Sequence, residues 1–402
     1  MKDLLDFIIK NIQDLKISKK NKEIILEEIE KLRAFIVDAR PARIAIVGRR
    51  GAGKSSLINA IFGEEKAEVG HTKSQTGIGK WYTFSNDLGS IEILDTRGLG
   101  EASRPEEEVL AGTPLEEIEN AIRDKCPDVV LFLCKAKEVD ARLDEDLLQL
   151  KQLRENIKAI HDYDIPVIGI VTQVDELAPL SDVEPPYEHP EKQANIKATV
   201  DILQEKIADV VLKPVKVIPV SAYMEFRDGK IVYDRRWNID MLVEYLLTEL
   251  PQEAQVILAK LAKIKTVQKK LARKIAKSVM GITGIVGASP IPMADMPVIT
   301  GLQISMIGTI AVIGGQKLSR ESIIKFITAM GLNIGAGLAF REIARNLAKL
   351  IPAAGNLVSG AVATAGTYAI SEAAIAYYID RKSEEEAKRI FDKEMKNGQV
   401  DQ

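Results

Sequence analysis

The sequence predicts an α/β fold, in which a mostly parallel six-stranded sheet is joined to an all-α helical part built from both ends of the chain. Short apolar runs alternate with helical patterns between residues 42 and 250, which is typical of βαβ units. A glycine-rich loop separates the first strand from the first helix of this region. Both flanking regions show helical patterns only. We therefore divide the chain into residues 1–40, 41–250 and 251–402.

The composition is that of an ordinary globular protein. The chain has 402 residues, 46% hydrophobic and 28% charged, with a formal net charge of −3. This length fits two or three domains, and the charge carries no nucleic-acid-binding signal at the level of the whole chain. The two cysteines, Cys126 and Cys134, lack metal-ligand spacing and suit a reducing compartment. Because the first thirty residues are charged and helical in pattern, we expect no signal peptide and a location in the cytosol or on the cytosolic face of a membrane.

The N-terminal arm is predicted to form two helices before the first strand. Ser18 is a candidate N-cap for the second helix, and Pro41 ends the arm. The apolar positions recur at helical spacing. They are Leu4, Leu5, Ile8, Ile12, Ile25, Ile29, Leu32 and Ile36. Such an arm needs a helical partner against which to pack.

The central region contains six strand candidates and five helix candidates. The strand candidates are residues 43–47, 80–85, 90–95, 128–134, 167–172 and 215–220. The helix candidates are residues 54–62, 115–125, 142–160, 191–212 and 239–250. The last four strand candidates are rich in Val, Ile and Leu, as expected for strands that are covered on both faces.

The C-terminal region begins with a basic stretch. Residues 257–279 keep helical spacing and predict one long amphipathic helix with a basic side. Residues 254–294 contain eight basic residues and no acidic one. The eight are Lys260, Lys263, Lys265, Lys269, Lys270, Arg273, Lys274 and Lys277. Two interpretations remain open: a solvated face, or an anionic-membrane contact through residues 257–315.

Long uncharged stretches follow the basic residues. Residues 296–316 and 350–371 approach the length that spans a bilayer, yet they are rich in small residues. A buried helical bundle packed on the N-terminal arm explains the same pattern. We favour a soluble bundle with regulated membrane contact.

The glycine-rich loop fits the pattern G-x-x-x-x-G-K-[ST] without a mismatch. Its place between a strand and a helix gathers backbone N–H groups and the positive end of a helix dipole around one point. Lys54 is expected to reach the β- and γ-phosphates, and the Ser55 hydroxyl to bind Mg²⁺. The remaining predicted nucleotide contacts here are Gly48, Gly51, Ala52, Gly53 and Ser56.

Two further segments are candidates for phosphate and metal chemistry. Asp95 ends a strand, where a carboxylate can bind Mg²⁺ directly or through water, and the Gly98 N–H would then contact the γ-phosphate. Thr76 is the candidate for a mobile threonine that reaches Mg²⁺ only in the presence of the γ-phosphate.

The segment Thr172-Gln173-Val174-Asp175 follows a strand and is the candidate base site. The Asp175 carboxylate can accept both the N1–H and the N2–H of guanine. Adenine lacks this pair of donors, so this acid favours GTP over ATP. Ser221 and Ala222 follow the next strand and can add a main-chain contact to the base.

These motifs stand in the order found in a known family. Residues 42–250 resemble the Era-like branch of the translation-factor-related GTPases, with all five motifs in chain order. The whole layout resembles bacterial Era-like GTPases with a hydrophobic C-terminal domain, and it is similar to that of immunity-related GTPases. The C-terminal resemblance rests on residues 290–295 and the hydrophobic helices. The resemblance implies a GTPase that uses Mg²⁺ and converts GTP to GDP.

The chain departs from the family pattern at four positions. Thr172 and Gln173 replace the usual Asn and Lys of the guanine motif, which removes a lysine stem from the base plane. Gly51 occupies the position at which Era-like proteins often have an Asn that is associated with potassium-assisted hydrolysis. Leu99 stands where many GTPases have a glutamine that orients water. We therefore expect slow intrinsic hydrolysis.

Arg49 and Arg50 have two interpretations. A guanidinium in the phosphate loop can stabilise transition-state charge, in its own site or across a dimer. Alternatively, both arginines are exposed loop residues that pair with acidic neighbours.

Three functions are compatible with these motifs. The first is a GTP-hydrolysing switch whose nucleotide state controls the helical part through self-association, as a nucleotide-dependent homodimer, or through membrane contact. The second is a nucleotide-dependent scaffold with incidental hydrolysis. The third, a ribosome-assembly GTPase, ranks last because the basic stretch lacks interleaved aromatic residues and no RNA-binding module follows, so we expect no nucleic-acid partner.

Overall fold

The computed structural model describes residues 2–14, 17–49, 51–65, 80–95, 114–141, 143–288, 296–317, 319–330 and 360–400. The chain divides into two compact units. Pro41–Ala254 form the sheet unit, and Met1–Arg40 with Gln255–Gln402 form the helical unit.

The sheet unit contains the predicted six-stranded, mostly parallel sheet. The strands are β1 (Ala42–Val47), β2 (Lys80–Asn86), β3 (Gly89–Asp95), β4 (Val129–Lys135), β5 (Val167–Thr172) and β6 (Lys216–Pro219). Their spatial order is β2-β3-β1-β4-β5-β6. Only β2 is antiparallel to its neighbour, β3. The predicted α/β fold class is confirmed.

Five helices connect and cover these strands. They are α3 (Lys54–Phe62), α4 (Pro114–Asp124), α5 (Asp144–His161), α6 (Pro190–Val211) and α7 (Ile239–Glu249). Every residue of β5 is buried, which agrees with its run of apolar residues. Gly169 of β5 lies so close to its neighbours that an added Cβ would be 2.7 Å from Val217 Cγ2 and 2.8 Å from Ile207 Cδ1. The strand therefore packs tightly against both β6 and α6.

A β-hairpin that the sequence analysis missed follows β6. Its strands are β7 (Met224–Arg227) and β8 (Lys230–Asp234), paired antiparallel outside the main sheet. Asp228 and Gly229 form the turn with positive φ angles of 52° and 70°. Because Asp-Gly favours this tight turn, the dipeptide between two short strands was the available signal.

The helical unit is built from both ends of the chain. Within the described residues, its helices are α1 (Lys2–Asp14), α2 (Lys19–Ile36), α8 (Gln252–Ala262, which begins just before the division), α9 (Lys265–Gly287), α10 (Met296–Ile313), α11 (Arg320–Ala329), α12 (Gly360–Tyr378) and α13 (Glu384–Val400). The Ser18 side chain accepts a hydrogen bond from the Asn21 N–H and caps α2, as predicted. In the bundle, α1 contacts α10, α2 contacts α9, and α12 contacts α9, α10 and α13.

The prediction of one long helix over residues 257–279 is wrong. The chain forms two helices instead, α8 ending at Ala262 and α9 beginning at Lys265. Lys263 has a φ angle of 54°, in the left-handed region. An L-residue in this conformation cannot continue a right-handed helix, so the helix ends here.

The basic side of α9 finds acidic partners that its own sequence lacks. Lys269 Nζ lies 2.7 Å from Asp380 Oδ1, and Arg273 Nε lies 2.8 Å from Glu372 Oε1. Glu372 belongs to α12 and Asp380 follows that helix. Part of the predicted basic surface is therefore neutralised within the bundle.

The uncharged helix α10 is buried within the bundle. Two of its buried polar side chains donate hydrogen bonds inside the unit: Gln303 Nε2 to Thr367 Oγ1 at 3.0 Å, and Thr309 Oγ1 to the Ser305 carbonyl at 2.8 Å. In the part of the chain that the structure describes, no helix has the length and hydropathy needed to cross a bilayer. Part of the stretch 350–371, and residues 289–295 between α9 and α10, lie outside the described residues.

Glycines at the contact of α9 with α12 provide a test of this packing. A Cβ added to Gly360 would overlap the backbone oxygen of Gly284, whereas one added to Gly281 of α9 would meet nothing within 4 Å. We expect Gly360→Ala to lower the free energy of unfolding by about 1–3 kcal/mol through overpacking. Gly281→Ala, the matched control, should raise it by about 0.5–1 kcal/mol because alanine favours the helix. Urea unfolding followed by circular dichroism measures both, and equal effects of the two variants would contradict this packing.

Candidate nucleotide site

The phosphate loop runs from the end of β1 to the start of α3 and depends on its glycines. Gly51 and Gly53 have φ angles of 79° and 84°, which L-residues rarely adopt. At Gly48, an added Cβ would lie 2.7 Å from the Leu133 backbone oxygen. These positions keep side chains out of the loop and bring its backbone close to β4.

Lys54, the first residue of α3, folds back over this loop. Its Nζ donates a hydrogen bond to the Gly48 carbonyl and another, at 3.3 Å, to the Arg49 carbonyl. Ser55 and Ser56 follow in the first turn of α3, where helix N–H groups have no acceptor within the helix. The Lys54 ammonium and the N-terminus of α3, with its two serines, thus lie beside the phosphate loop.

The two residues that depart from the guanine motif bind the phosphate loop. The buried Thr172 Oγ1 lies 3.0 Å from the Ala52 carbonyl and 3.3 Å from the Cys134 carbonyl, so its single proton is shared between them. Gln173 Nε2 donates to the Gly51 carbonyl at 3.1 Å. Side chains of residues 172–175, called the base segment below, therefore bond directly to the phosphate loop.

Asp175 and Ser221 come together at the carboxyl ends of β5 and β6. Asp175 lies in a short 3-10 helix, Val174–Glu176, which begins after Gln173 in the left-handed conformation at φ 58°. The Ser221 N–H donates to the Trp237 carbonyl at 3.3 Å, and the Trp237 N–H donates back to Ser221 at 2.9 Å. Ala222 follows Ser221 and is half-buried.

Lys135, at the end of β4, is a site residue that sequence reasoning missed. A Cβ added to Gly51 would lie 3.3 Å from Lys135 Nζ, so this ammonium lies beside the phosphate loop. Lys135 also pairs with Glu138 at 3.1 Å. The signal in the sequence was its position at the end of an apolar strand, at the edge of the sheet where the phosphate loop also begins.

Arg49 pairs with an acid from a distant segment. Its Nε lies 2.7 Å from Oδ2 of Asp146, a buried residue in the first turn of α5. Burial raises the pKa of Asp146, although the Arg49 guanidinium beside it acts in the opposite direction. In this structure Arg49 therefore engages an acidic neighbour, and Asp146 was not singled out from the sequence.

Several predicted site residues lie outside the described residues. They are Arg50, Thr76 and Gly98. Leu99, which stands where many GTPases have a water-orienting glutamine, also lies outside them. The side chain of Asp95 is also outside the description, but its backbone pairs with Ile46, two residues before Gly48. The register therefore places the end of β3 beside the start of the phosphate loop.

A strand, a glycine loop with a lysine folded over it, and a helix N-terminus define a P-loop nucleotide-binding domain. The comparison with known families agrees: residues 43–173 match the family described as 50S ribosome-binding GTPase. This stretch is a GTPase domain of the translation-related P-loop class.

Individual relatives match parts of the chain. It is similar to the probable GTP-binding protein EngB of Geobacter sulfurreducens, with 33% identity over 34% of this chain and 60% of that protein. It is also similar to GTPase Der of Persephonella marina, with 29% identity over 45% of this chain and 36% of that protein. The chain thus spans less than two thirds of the length of either relative.

Among solved structures, the comparison found a match to Era in complex with MgGDPNP and nucleotides 1506–1542 of 16S ribosomal RNA. It has 23% sequence identity and a TM-score of 0.33, and the match covers 53% of this chain and 58% of that chain.

The Thr172 hydroxyl provides a test of the link between β5 and the phosphate loop. Thr172→Val keeps the shape but leaves the Ala52 and Cys134 carbonyls without this donor. We expect it to lower the free energy of unfolding by about 1–3 kcal/mol, because buried acceptors lose a hydrogen bond. Thr172→Ser keeps the hydroxyl and is the control. Urea unfolding measures both, and a Val variant as stable as the wild type would show that the hydroxyl contributes nothing.

Proposed function

We propose that this chain binds and slowly hydrolyses GTP to GDP and phosphate, and that the bound nucleotide controls the helical unit. The observation that carries this proposal is the direct link between the phosphate loop and the Asp175 segment through Thr172 and Gln173. This link supports one nucleotide bound at both ends, with its phosphates on the loop and its base at Asp175.

The chain's own groups suit phosphoryl transfer to water. The Lys54 ammonium and the N–H groups of Gly53, Ser55 and Ser56 would bind the β- and γ-phosphates. A water attacks the γ-phosphate in line, without a covalent protein intermediate. Because the aliphatic side chain of Leu99 cannot orient that water, we expect a slow intrinsic rate.

Residues near the loop also fit a Mg²⁺ ion. The Ser55 hydroxyl lies at the start of α3, and the register places the end of β3, and therefore Asp95, beside β1. A hydroxyl and a carboxylate are oxygen donors of the kind that Mg²⁺ prefers, with Thr76 as a further candidate. The bound ion would neutralise charge that develops on the phosphates.

We assign the selection of the base to residues 172–175, with support from Ser221 and Ala222. The Asp175 carboxylate would accept the N1–H and N2–H of guanine, while Ser221 and Ala222 support the base through the main chain. Within the described residues, no hydrogen bond or ion pair engages this carboxylate. Gln173 stands at the position of the usual lysine, and its side chain binds the phosphate loop.

Replacing Asp175 tests the choice of base. Asp175→Asn would present an N–H donor where a carboxylate accepted, so GTP affinity should fall about 10–100-fold while xanthosine triphosphate affinity rises. Glu176→Gln, at the exposed neighbouring position, is the matched control and should leave both affinities unchanged. Titration with fluorescent nucleotides measures them. Unchanged GTP binding by Asp175→Asn would overturn the assignment of the base site.

Acceleration of hydrolysis is assigned to an arginine of the phosphate loop. The Arg49–Asp146 ion pair would have to open for Arg49 to reach the phosphates. A nucleotide-dependent homodimer could open it, or could present Arg50 of one copy to the site of the other.

Turnover per molecule, measured against protein concentration, tests the dimer and the arginine together. We expect the rate to rise with concentration, and the Ala variant of the acting arginine to lose about 10³-fold of the stimulated rate. Arg123→Ala, exposed on α4, is the control. If Arg49→Ala and Arg50→Ala both keep the wild-type rate at high concentration, neither arginine acts as proposed.

The same assay with anionic liposomes tests membrane contact and the scaffold alternative. Lys265 and Lys277 are exposed on α9 and support the contact, although Lys269 and Arg273 are paired within the bundle. Stimulation by liposomes supports a peripheral membrane switch. A nucleotide-dependent scaffold predicts no stimulation by liposomes.

The family description favours a second candidate function, in ribosome assembly. The matching family is described as ribosome-binding, which weighs against our expectation that no nucleic acid takes part. The match covers only residues 43–173, within the sheet unit. Co-sedimentation with ribosomal subunits in the presence of a non-hydrolysable GTP analogue would support this candidate, and its absence would favour the membrane or dimer switch.

A further inference from the structure

Lys192 is a buried cation beside the base segment. It lies in the first turn of α6 and is 0% exposed. Burial lowers the pKa of its ammonium, because water no longer solvates the charge. A buried lysine is costly unless its donors find acceptors, so its contacts show what it stabilises.

Lys192 hydrogen-bonds to the base segment and to the turn that follows it. Its Nζ donates to the Asp175 carbonyl at 2.7 Å and to the Leu177 carbonyl at 2.8 Å. The same ammonium lies 4.9 Å from the centroid of the Tyr187 ring, within cation–π range. One side chain therefore binds the backbone of Asp175 itself and of the turn that follows it.

The contacts continue from Lys192 to Ser221, which is also proposed to contact the base. The Tyr187 ring meets Trp237 edge-on, with centroids 5.1 Å apart and an interplanar angle of 63°. The Trp237 backbone pairs in both directions with Ser221. The buried Lys192 and Tyr187, with the half-buried Trp237, thus form a continuous connection between Asp175 and Ser221.

We propose that Lys192 is the positioning residue that sets the Asp175 carboxylate for guanine recognition. This inference rests on the proposed function, since it presupposes that Asp175 binds the base. Gln173 replaces the usual lysine of the guanine motif. A lysine from α6, Lys192, instead stabilises the backbone at Asp175. Lys192 does not touch the nucleotide in this proposal; it acts through the backbone of Asp175.

Inosine nucleotides separate positioning from a general structural role. Hypoxanthine keeps the N1–H of guanine but lacks the 2-amino group, so Asp175 would accept two hydrogen bonds from GDP and one from IDP. A displaced Asp175 carboxylate loses more with GDP than with IDP. A general loss of stability weakens both nucleotides alike, because their phosphates and riboses are identical.

The test measures the affinities of GDP and IDP for Lys192→Met in the full chain. We expect GDP affinity to fall about tenfold and the preference for GDP over IDP to be largely lost. Lys206→Met is the matched control, because Lys206 lies on the same helix and donates to a backbone carbonyl, that of Val139, at 2.8 Å. The control should keep the wild-type preference. Lys192→Gln, which keeps an N–H donor on a shorter stem, replaces the Met variant if that variant does not fold, and it should show a smaller loss.

The outcomes distinguish this inference from the proposed function. If Asp175→Asn changes base preference as expected while a folded Lys192 variant keeps the wild-type GDP:IDP ratio, the role of Lys192 is overturned and the base site stands. If Asp175→Asn itself leaves GDP binding unchanged, the proposed base site fails. A reduced GDP:IDP ratio in the Lys192 variant, together with the wild-type ratio in Lys206→Met, supports positioning.

Discussion

The candidate site depends on one constraint, the hydrogen bonding of phosphate-loop carbonyls by nearby side chains. Lys54 binds the Gly48 and Arg49 carbonyls, Gln173 binds that of Gly51, and Thr172 binds that of Ala52. Because a peptide group is planar, a carbonyl held on one side directs the N–H of the same peptide to the opposite side. The Gly53 N–H, in the same peptide as the Ala52 carbonyl, therefore points away from Thr172, and the positive φ angles of Gly51 and Gly53 allow this path of the loop.

Three side chains from different parts of the sheet unit lie around the phosphate loop and the segment that departs from the guanine motif. Gln173 makes the hydrogen bond to the loop, and Lys135 places an ammonium beside Gly51. Lys192 binds the backbone of Asp175 from α6. Two of these three residues, Lys135 and Lys192, lie well outside the motif in the sequence.

The helical unit shows how tertiary structure changes the meaning of a local pattern. A stretch with eight cations and no acid suggests a surface for anionic lipid, yet α12 and the turn after it supply Glu372 and Asp380 to two of those cations. The uncharged composition of α10 suggests a membrane span, yet in the described bundle it serves burial, with Gln303 and Thr309 bonded to neighbours within the unit. Small residues at the contact of α9 and α12 allow close approach of the two helices.

The sequence by itself determined the features that depend on local patterns. The alternation of apolar runs, the phosphate-loop motif and the Ser18 cap each follow from residues within a few positions of one another, because backbone geometry acts over that distance. The hairpin at Asp228-Gly229 had a local signal too, although the apolar runs around it were too short to reveal it. Only the tertiary structure decided that Arg49 pairs with Asp146 and that Lys192 binds Asp175. These contacts join segments far apart in the chain, and no periodicity or spacing records how close two such segments lie once the sheet and its helices have packed.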